Sequence, residues 1–127
     1  MLEAGVIKPI ESEWAFPILL VGKPDGSVWF CVDFRRLNER MMRDNYPLPH
    51  IKDILDRMRG ARVFSTIDLF SGYWQVRLSP KCRQYATFIF HLGTFSFQVT
   101  PYGLRNAPAT FQRMICEVFK DLKFVRV

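Results

Sequence analysis

The sequence predicts an α+β domain, and three observations carry that expectation. Two pairs of apolar runs each flank a glycine-containing turn, two stretches repeat apolar residues at helical spacing, and strands and helices mix without a regular β-α-β rhythm. A chain of 127 residues is expected to bury one core rather than two. Apolar residues at 49% and aromatics at 15% exclude a disordered chain, and twelve phenylalanines imply a dense core or surfaces that a partner covers.

The elements follow in order. Phe16 to Val21 and Val28 to Phe34 flank Lys23-Pro24-Asp25-Gly26-Ser27, where proline fixes φ and glycine admits a positive φ, so a hairpin is expected. Arg35 to Arg40 reads as a short helix. Tyr46-Pro47-Leu48-Pro49 forces extended backbone, because each proline disfavours helix in the residue before it. Ile51, Ile54, Leu55 and Met58 recur at helical spacing and Gly60 can close the last turn, so His50 to Arg59 is an amphipathic helix. Val63 to Asp68 follows as a strand, Ser71-Gly72 breaks it, and Gln75 to Leu78 runs extended into a Ser79-Pro80 turn. Tyr85 to Phe90 and Phe95 to Val99 form a second hairpin about His91-Leu92-Gly93-Thr94. In its second arm Phe95, Phe97 and Val99 alternate with Ser96 and Gln98, the pattern of a half-exposed strand. Asn106 caps a helix with Pro108 in its first turn, whose apolar face runs from Phe111 through Met114, Ile115, Val118 and Phe119 to Leu122 and Lys123. Phe124 to Val127 begins another strand.

Eighteen Lys and Arg against twelve Asp and Glu give a formal charge of +6. That balance favours polyanions, with nucleic acid first among them, and is equally compatible with an ordinarily basic soluble protein. Cys31, Cys82 and Cys116 are far apart and odd in number, which indicates neither a disulfide framework nor a zinc knuckle and fits a reducing interior. No signal peptide is visible at the start. Gln84 to Leu104 carries no charged side chain, yet polar residues interrupt it too often for a membrane span.

The chemistry concentrates around Asp68. It closes the run Val63-Phe64-Ser65-Thr66-Ile67, and no other acid appears until Glu117. A carboxylate at the end of an apolar strand loses hydration, so it is expected to be protonated, hydrogen-bonded or neutralised by a cation. Arg77, Lys81, Arg83, Arg105 and Arg113 occupy the acid-free stretch and suit an anionic ligand. A metal bridging Asp68 to a phosphate would reconcile the two; a carboxylate that merely caps the next turn is the competing reading. Ser71-Gly72 lets backbone approach a ligand, and Tyr73 adds an aromatic face. Pro101-Tyr102-Gly103-Leu104-Arg105-Asn106-Ala107-Pro108 is a rigid loop that could cradle phosphates or a base, or simply join a strand to a helix.

Four ordered blocks then carry a resemblance. Cys31-Val32-Asp33-Phe34-Arg35-Arg36-Leu37-Asn38, Tyr46-Pro47-Leu48-Pro49, Phe64 to Tyr73 and Gly103 to Gln112 are similar to reverse transcriptases of Gypsy-type long-terminal-repeat retrotransposons. The resemblance implies a reverse-transcriptase-like fold of antiparallel hairpins packed with helices, with an incomplete palm sheet. Fingers would occupy about 1–43 and 76–104 and palm about 44–75 and 105–127, with thumb and ribonuclease H absent. It implies RNA-directed DNA polymerisation with two divalent ions (Mg²⁺ or Mn²⁺), an RNA template, a DNA primer and deoxynucleoside triphosphates, and an intracellular location in cytoplasm, retrotransposon particle or nucleus.

Residue by residue, the resemblance makes Asp68 the first catalytic aspartate, with the Leu69 carbonyl on the same ion. Tyr73 becomes the steric gate that selects deoxynucleotides. Phe70, Ser71, Gly72, Tyr102, Gly103 and the hairpin-tip Lys23 fall to nucleotide binding, and Arg35, Arg105, Asn106 and Pro108 to template and primer. Two departures stand out. Gly26-Ser27 is followed by Val28-Trp29 where the family has Trp-Arg, so the expected phosphate-binding arginine is missing. The Tyr-x-Asp-Asp segment that supplies the other two carboxylates would begin beyond Val127; Asp25, Asp33 and Glu117 are the acids that could substitute, and by the block assignment Asp33 belongs to the fingers and Glu117 to the last helix, away from Asp68. One carboxylate does not hold Mg²⁺ against water, so the chain alone is expected to be nearly inactive, with exposed strand edges and low solubility. A non-catalytic nucleic-acid-binding module and a protein-interaction domain are the alternatives.

Overall fold

The computed structural model describes residues 1–122, 124 and 125. The first hairpin forms where expected, with β2 (Ile18–Gly22) antiparallel to β3 (Val28–Val32) and Leu20 opposite Phe30. Its turn closes because Gly26 adopts a φ of 81° and its N–H donates to the Lys23 carbonyl at 3.0 Å, while the Asp25 carboxylate accepts from Ser27 N at 2.9 Å. Such a turn demands a positive φ, which glycine reaches without strain. α1 spans Arg35–Arg40, the range read from the sequence.

The second hairpin pairs β4 (Thr87–Phe90) with β5 (Gly93–Phe97), and Phe90 opposite Gly93 leaves His91 and Leu92 as a two-residue turn, tighter than the four expected. A further strand, β1 (Ile7–Pro9), escaped the sequence reading and pairs antiparallel with β5, giving the order β1-β5-β4. β5 is therefore central, and the expectation of a half-exposed strand fails: Ser96 is fully buried, its hydroxyl donating to the Arg83 carbonyl at 2.7 Å. The polar position of the alternation faces α3 (Pro80–Arg83), which replaces the simple Ser79-Pro80 turn, and not water.

The main core lies between the sheets. Phe16, Phe34, Phe88, Phe95 and Phe97 pack there, with Phe88 reaching Phe30 of the first hairpin at 5.2 Å and Phe97 at 5.4 Å between ring centroids. Phe16 bridges to Phe88, so the lead-in to β2 is stitched onto β4. A smaller contact joins α4 (Ala107–Val118) to a 3₁₀ turn at Gly72–Gln75. Gln75 belongs to that turn, and regular extension resumes only at Arg77, which pairs with Val99.

Three further expectations change. α2 forms over Ile51–Arg57, shorter than His50 to Arg59, and its apolar Ile51 and Leu55 face solvent. α4 stops at Val118, because Phe119 leaves helical backbone at φ −103° and ψ 11°; Lys123 lies outside the described residues. No strand forms over Val63 to Asp68: the segment is almost wholly exposed, with no strand beside it among the described residues. A strand exists only through its neighbours' hydrogen bonds, so apolar composition alone did not suffice. Phe124 and Val125 likewise carry no strand, and the rest of that expected element, Arg126 and Val127, lies outside the described residues.

Candidate functional site

Ser71 turns the chain. It sits at φ 48° and ψ 48°, the left-handed region that a non-glycine residue rarely adopts, and from it the 3₁₀ turn carries Tyr73 inward. The Tyr73 ring lies 5.0 Å from Tyr102 and 5.4 Å, edge-on, from Phe111. Gly72 permits this approach: a Cβ there would fall 2.9 Å from Phe111 Cζ. Gly72→Ala is therefore expected to push the ring aside and destabilise the fold by about 1–3 kcal/mol, measured as a lower denaturant midpoint at unchanged m-value. An unchanged midpoint would mean that Phe111 gives way without cost.

These aromatics floor a cleft of about 980 Å³ that also takes in Asp68, Leu69, Val63, Ile67 and Phe124. The structure thus brings together residues from two separate sequence blocks, Asp68 to Tyr73 and the loop at Tyr102. Asp68 differs from its expected state. It is exposed and makes no hydrogen bond or ion pair among the described residues, because the strand that was to bury it does not form. Among the described residues no three His, Cys, Asp or Glu side chains gather as a metal-binding group.

The loop beyond Pro101 is held from behind. Gly103, at φ 92°, lies so close to β3 that a Cβ would sit 3.5 Å from the Val32 carbonyl. Asn38 of α1 grips it on both sides, its Nδ2 donating to the Gly103 carbonyl and its Oδ1 accepting from Arg105 N, each at 2.8 Å. Asn106 stands at the start of α4 without capping it through its side chain. Its amide instead donates to the Met42 carbonyl at 2.8 Å and accepts from Asp44 N at 3.2 Å, tying the segment after α1 to α4. Arg113 completes the clamp with an ion pair to Asp44 at 2.6 Å and its guanidinium 4.8 Å from the centre of the Tyr46 ring. The Arg113 hydrogen bond holds the Asp44 carboxyl below the usual carboxylate range, while the Cys116 contact raises the Tyr46 hydroxyl.

The other sequence candidates lie outside the cleft. Lys23 extends its ammonium over Trp29, 5.5 Å from the ring centre, at the hairpin tip. Arg35 pairs with Asp33 at 2.6 Å, and Arg105 donates to the Asn38 carbonyl at 3.5 Å. Pro108 is exposed in the first turn of α4, and Phe70 points to solvent. Sequence reasoning gave Phe111 no site role, since its spacing marked it as a core position; Asn38 and Tyr46 fell inside resemblance blocks without a role of their own, and nothing marked Asp44. Cys31, Cys82 and Cys116 are free and exposed.

Hydrogen bonds from Arg35 depress the Asp33 pKa from 3.8 to about 2. A carboxyl depressed on folding stabilises the native state above its unfolded pKa and loses that contribution as pH falls through the folded value. Thermal melting is therefore expected to drop between pH 3.8 and about 2 more steeply in the wild type than in Asp33→Asn. Parallel pH profiles for the two proteins would contradict the assignment.

No helix among the described residues is long and apolar enough to cross a membrane. The family model described as reverse transcriptase (RNA-dependent DNA polymerase) matches residues 21–125. The chain is 35% identical over 127 residues to the retrovirus-related Pol polyprotein from transposon gypsy of Drosophila melanogaster, covering 95% of this chain and 12% of that one. An RNA-directed DNA polymerase homolog of Oenothera berteroana is 39% identical over 95 residues, 75% of this chain and 67% of the relative. Among solved structures, a foamy viral protease-reverse transcriptase in complex with double-stranded DNA superimposes with a TM-score of 0.86 at 27% identity, over 99% of this chain and 22% of that one. The resemblance drawn from the four sequence blocks is borne out, and so is the α+β architecture of fingers and palm.

Proposed function

The chain belongs to the reverse transcriptase (RNA-dependent DNA polymerase) family, and we propose that it forms part of the fingers and palm of a Gypsy-type retrotransposon polymerase. The activity proposed is addition of deoxynucleotides to a primer 3′-hydroxyl along an RNA template. The observation that carries this reading is the meeting of Asp68, Tyr73 and Tyr102 in one cleft from separate blocks. The net charge of +6 and the DNA-bound state of a foamy viral relative support nucleic-acid partners.

The proposed roles follow from chemistry that each group can perform. Tyr73, wedged between Tyr102 and Phe111, offers a rigid wall on which a sugar and base would lie and against which a 2′-hydroxyl would collide. Gly72, Ser71 and Gly103 let backbone come close to a ligand, with Phe70 and Tyr102 at its edges. Lys23 is the candidate for triphosphate contact, and Arg35, Arg105, Asn106 and Pro108 for template and primer. Fingers would comprise 1–43 and 76–104, and palm 44–75 and 105–127; the two packing centres, between the sheets and beneath α4, support that division. Cytoplasm, retrotransposon particle or nucleus is the proposed location.

Divalent ions fit this chain only in part. Asp68 is an exposed carboxylate without a protein partner among the described residues, which suits a cation, and the Leu69 carbonyl adjoins it. Mg²⁺ demands near-octahedral oxygen coordination, and one carboxylate with one carbonyl is a corner of such a site. When bound, such ions activate the attacking hydroxyl and neutralise phosphate charge. With Asp68 the single acid among the described residues of the cleft, the 127-residue chain is proposed to extend primers negligibly by itself.

The test is a chimaera in which this chain replaces the matching stretch of the transposon gypsy polyprotein. RNA-templated incorporation by the chimaera, absent from the isolated chain, supports the reading. A soluble, folded chimaera that copies nothing overturns it in favour of a nucleic-acid-binding module.

A further inference from the structure

The loop that carries Tyr102 is clamped from α1. Asn38 reaches it with both ends of one amide, Nδ2 donating to the Gly103 carbonyl and Oδ1 accepting from Arg105 N, each at 2.8 Å. The clamp closes where the backbone is freest, since Gly103 stands at φ 92° and carries no side chain to hold it. Its base is firm. The Asn38 N–H donates to the Phe34 carbonyl at 2.8 Å, Phe34 is 2% exposed, and Leu37 beside Asn38 is buried. Tyr102 is 53% exposed, so burial alone does not fix its ring; the backbone from which it springs does. That ring lies 5.0 Å from Tyr73 and 6.3 Å from Trp74.

We propose that Asn38 is a positioning residue for the choice of deoxynucleotides over ribonucleotides. By holding the Gly103 and Arg105 backbone it keeps Tyr102 against Tyr73, and so keeps the Tyr73 ring standing where a 2′-hydroxyl would strike it. The inference rests on the polymerase reading, in which Tyr73 is that wall. A wall selects only while it is stiff, because a displacement of about 1 Å is enough to spoil a fitted site. The Asn38 amide is engaged by the loop on both sides, so its part in selection is indirect. Its removal leaves the Gly103 carbonyl and the Arg105 N–H to water, and frees the loop to carry Tyr102 away from Tyr73.

Asn38→Leu keeps the bulk of the side chain and deletes both bonds. In the 127-residue chain, without nucleotide or metal, the Arg105 amide should exchange hydrogen about tenfold faster than in the wild type while the amides of β5 stay unchanged. Equal exchange at Arg105 would overturn the clamp. In the transposon gypsy chimaera, the ratio of kcat/KM for a deoxynucleoside triphosphate to that for its ribonucleotide should fall about tenfold. The ratio is taken within each variant, so a smaller folded fraction scales both rates alike and cancels. Tyr73→Ala should lower the ratio by itself, and adding Asn38→Leu to it should change nothing further, since Asn38 acts through that ring. A ratio unchanged in Asn38→Leu, or an equal fall in both backgrounds, would overturn the proposal. A wild-type chimaera that copies nothing would instead overturn the polymerase reading, and this inference with it.

Discussion

Asp68→Asn is expected to lower nucleotide incorporation by the chimaera about a thousand-fold while leaving the protein folded. The substitution keeps the shape of the side chain and removes its charge. In the proposed role the carboxylate would anchor a cation, and its loss would remove several kcal/mol of stabilisation from a transition state rich in phosphate charge; about 4 kcal/mol corresponds to three orders of magnitude. Stability should hardly change, because Asp68 is exposed and makes no bond to the described residues and surface replacements of that kind stay within about 0.5 kcal/mol. Asp53→Asn on α2, also exposed but outside the cleft, supplies the control. Equal loss in both variants would point to net charge instead of a specific carboxylate. Full activity in Asp68→Asn would remove this residue from the chemistry.

The largest effect on stability is expected from Phe88→Ala, a loss of about 3–5 kcal/mol. Phe88 is 2% exposed and touches both sheets, with ring centroids 5.8 Å from Phe95 across the hairpin and 5.2 Å from Phe30 on β3. Its neighbours are poorly placed to fill the gap. β4 is hydrogen-bonded to β5, and the adjoining Ile89 N–H donates to Phe16 at 3.0 Å, so the backbone around the cavity is fixed. Typical domains hold about 5–15 kcal/mol in all, so a large share of the fold's stability depends on this ring. Urea unfolding checks it; a loss under about 1 kcal/mol would mean that the two sheets are joined elsewhere.

Elements with a local cause were legible in the sequence. The first hairpin follows from Pro24-Asp25-Gly26, whose turn preferences are set within five residues, and α1 follows from its own composition. Elements whose cause is distant were not. β1 is three residues long and ends in proline, so nothing local marks it, and it exists because β5 offers it an edge. Ser96 looked solvent-facing by alternation, but its partner is a carbonyl thirteen residues away. Val63 to Asp68 shows the converse: apolar composition called for a strand, and the described fold provides no neighbour for it. Asp68 is exposed for the same reason. In the site, Asp68 and Tyr73 stood out from the residues themselves and again through a family block, and Tyr102 through its rigid loop, whereas Phe111 was given only a core role and the Asn38, Asp44 and Arg113 clamp depends on contacts across more than sixty residues.

The pairing of Ile7 with Phe97 sets an order of events during biosynthesis. β1 leaves the ribosome before the other described strands, yet the edge it occupies is made last among them, ninety residues later by the difference of those positions. At about 5–20 residues per second, that interval is roughly 5 to 18 s. Until then Val6 and Ile7 have no place to hide, and the nascent chain is open to chaperones. The first hairpin, complete by Val32, can form early, whereas closure of the larger sheet waits for β5 at Gly93–Phe97.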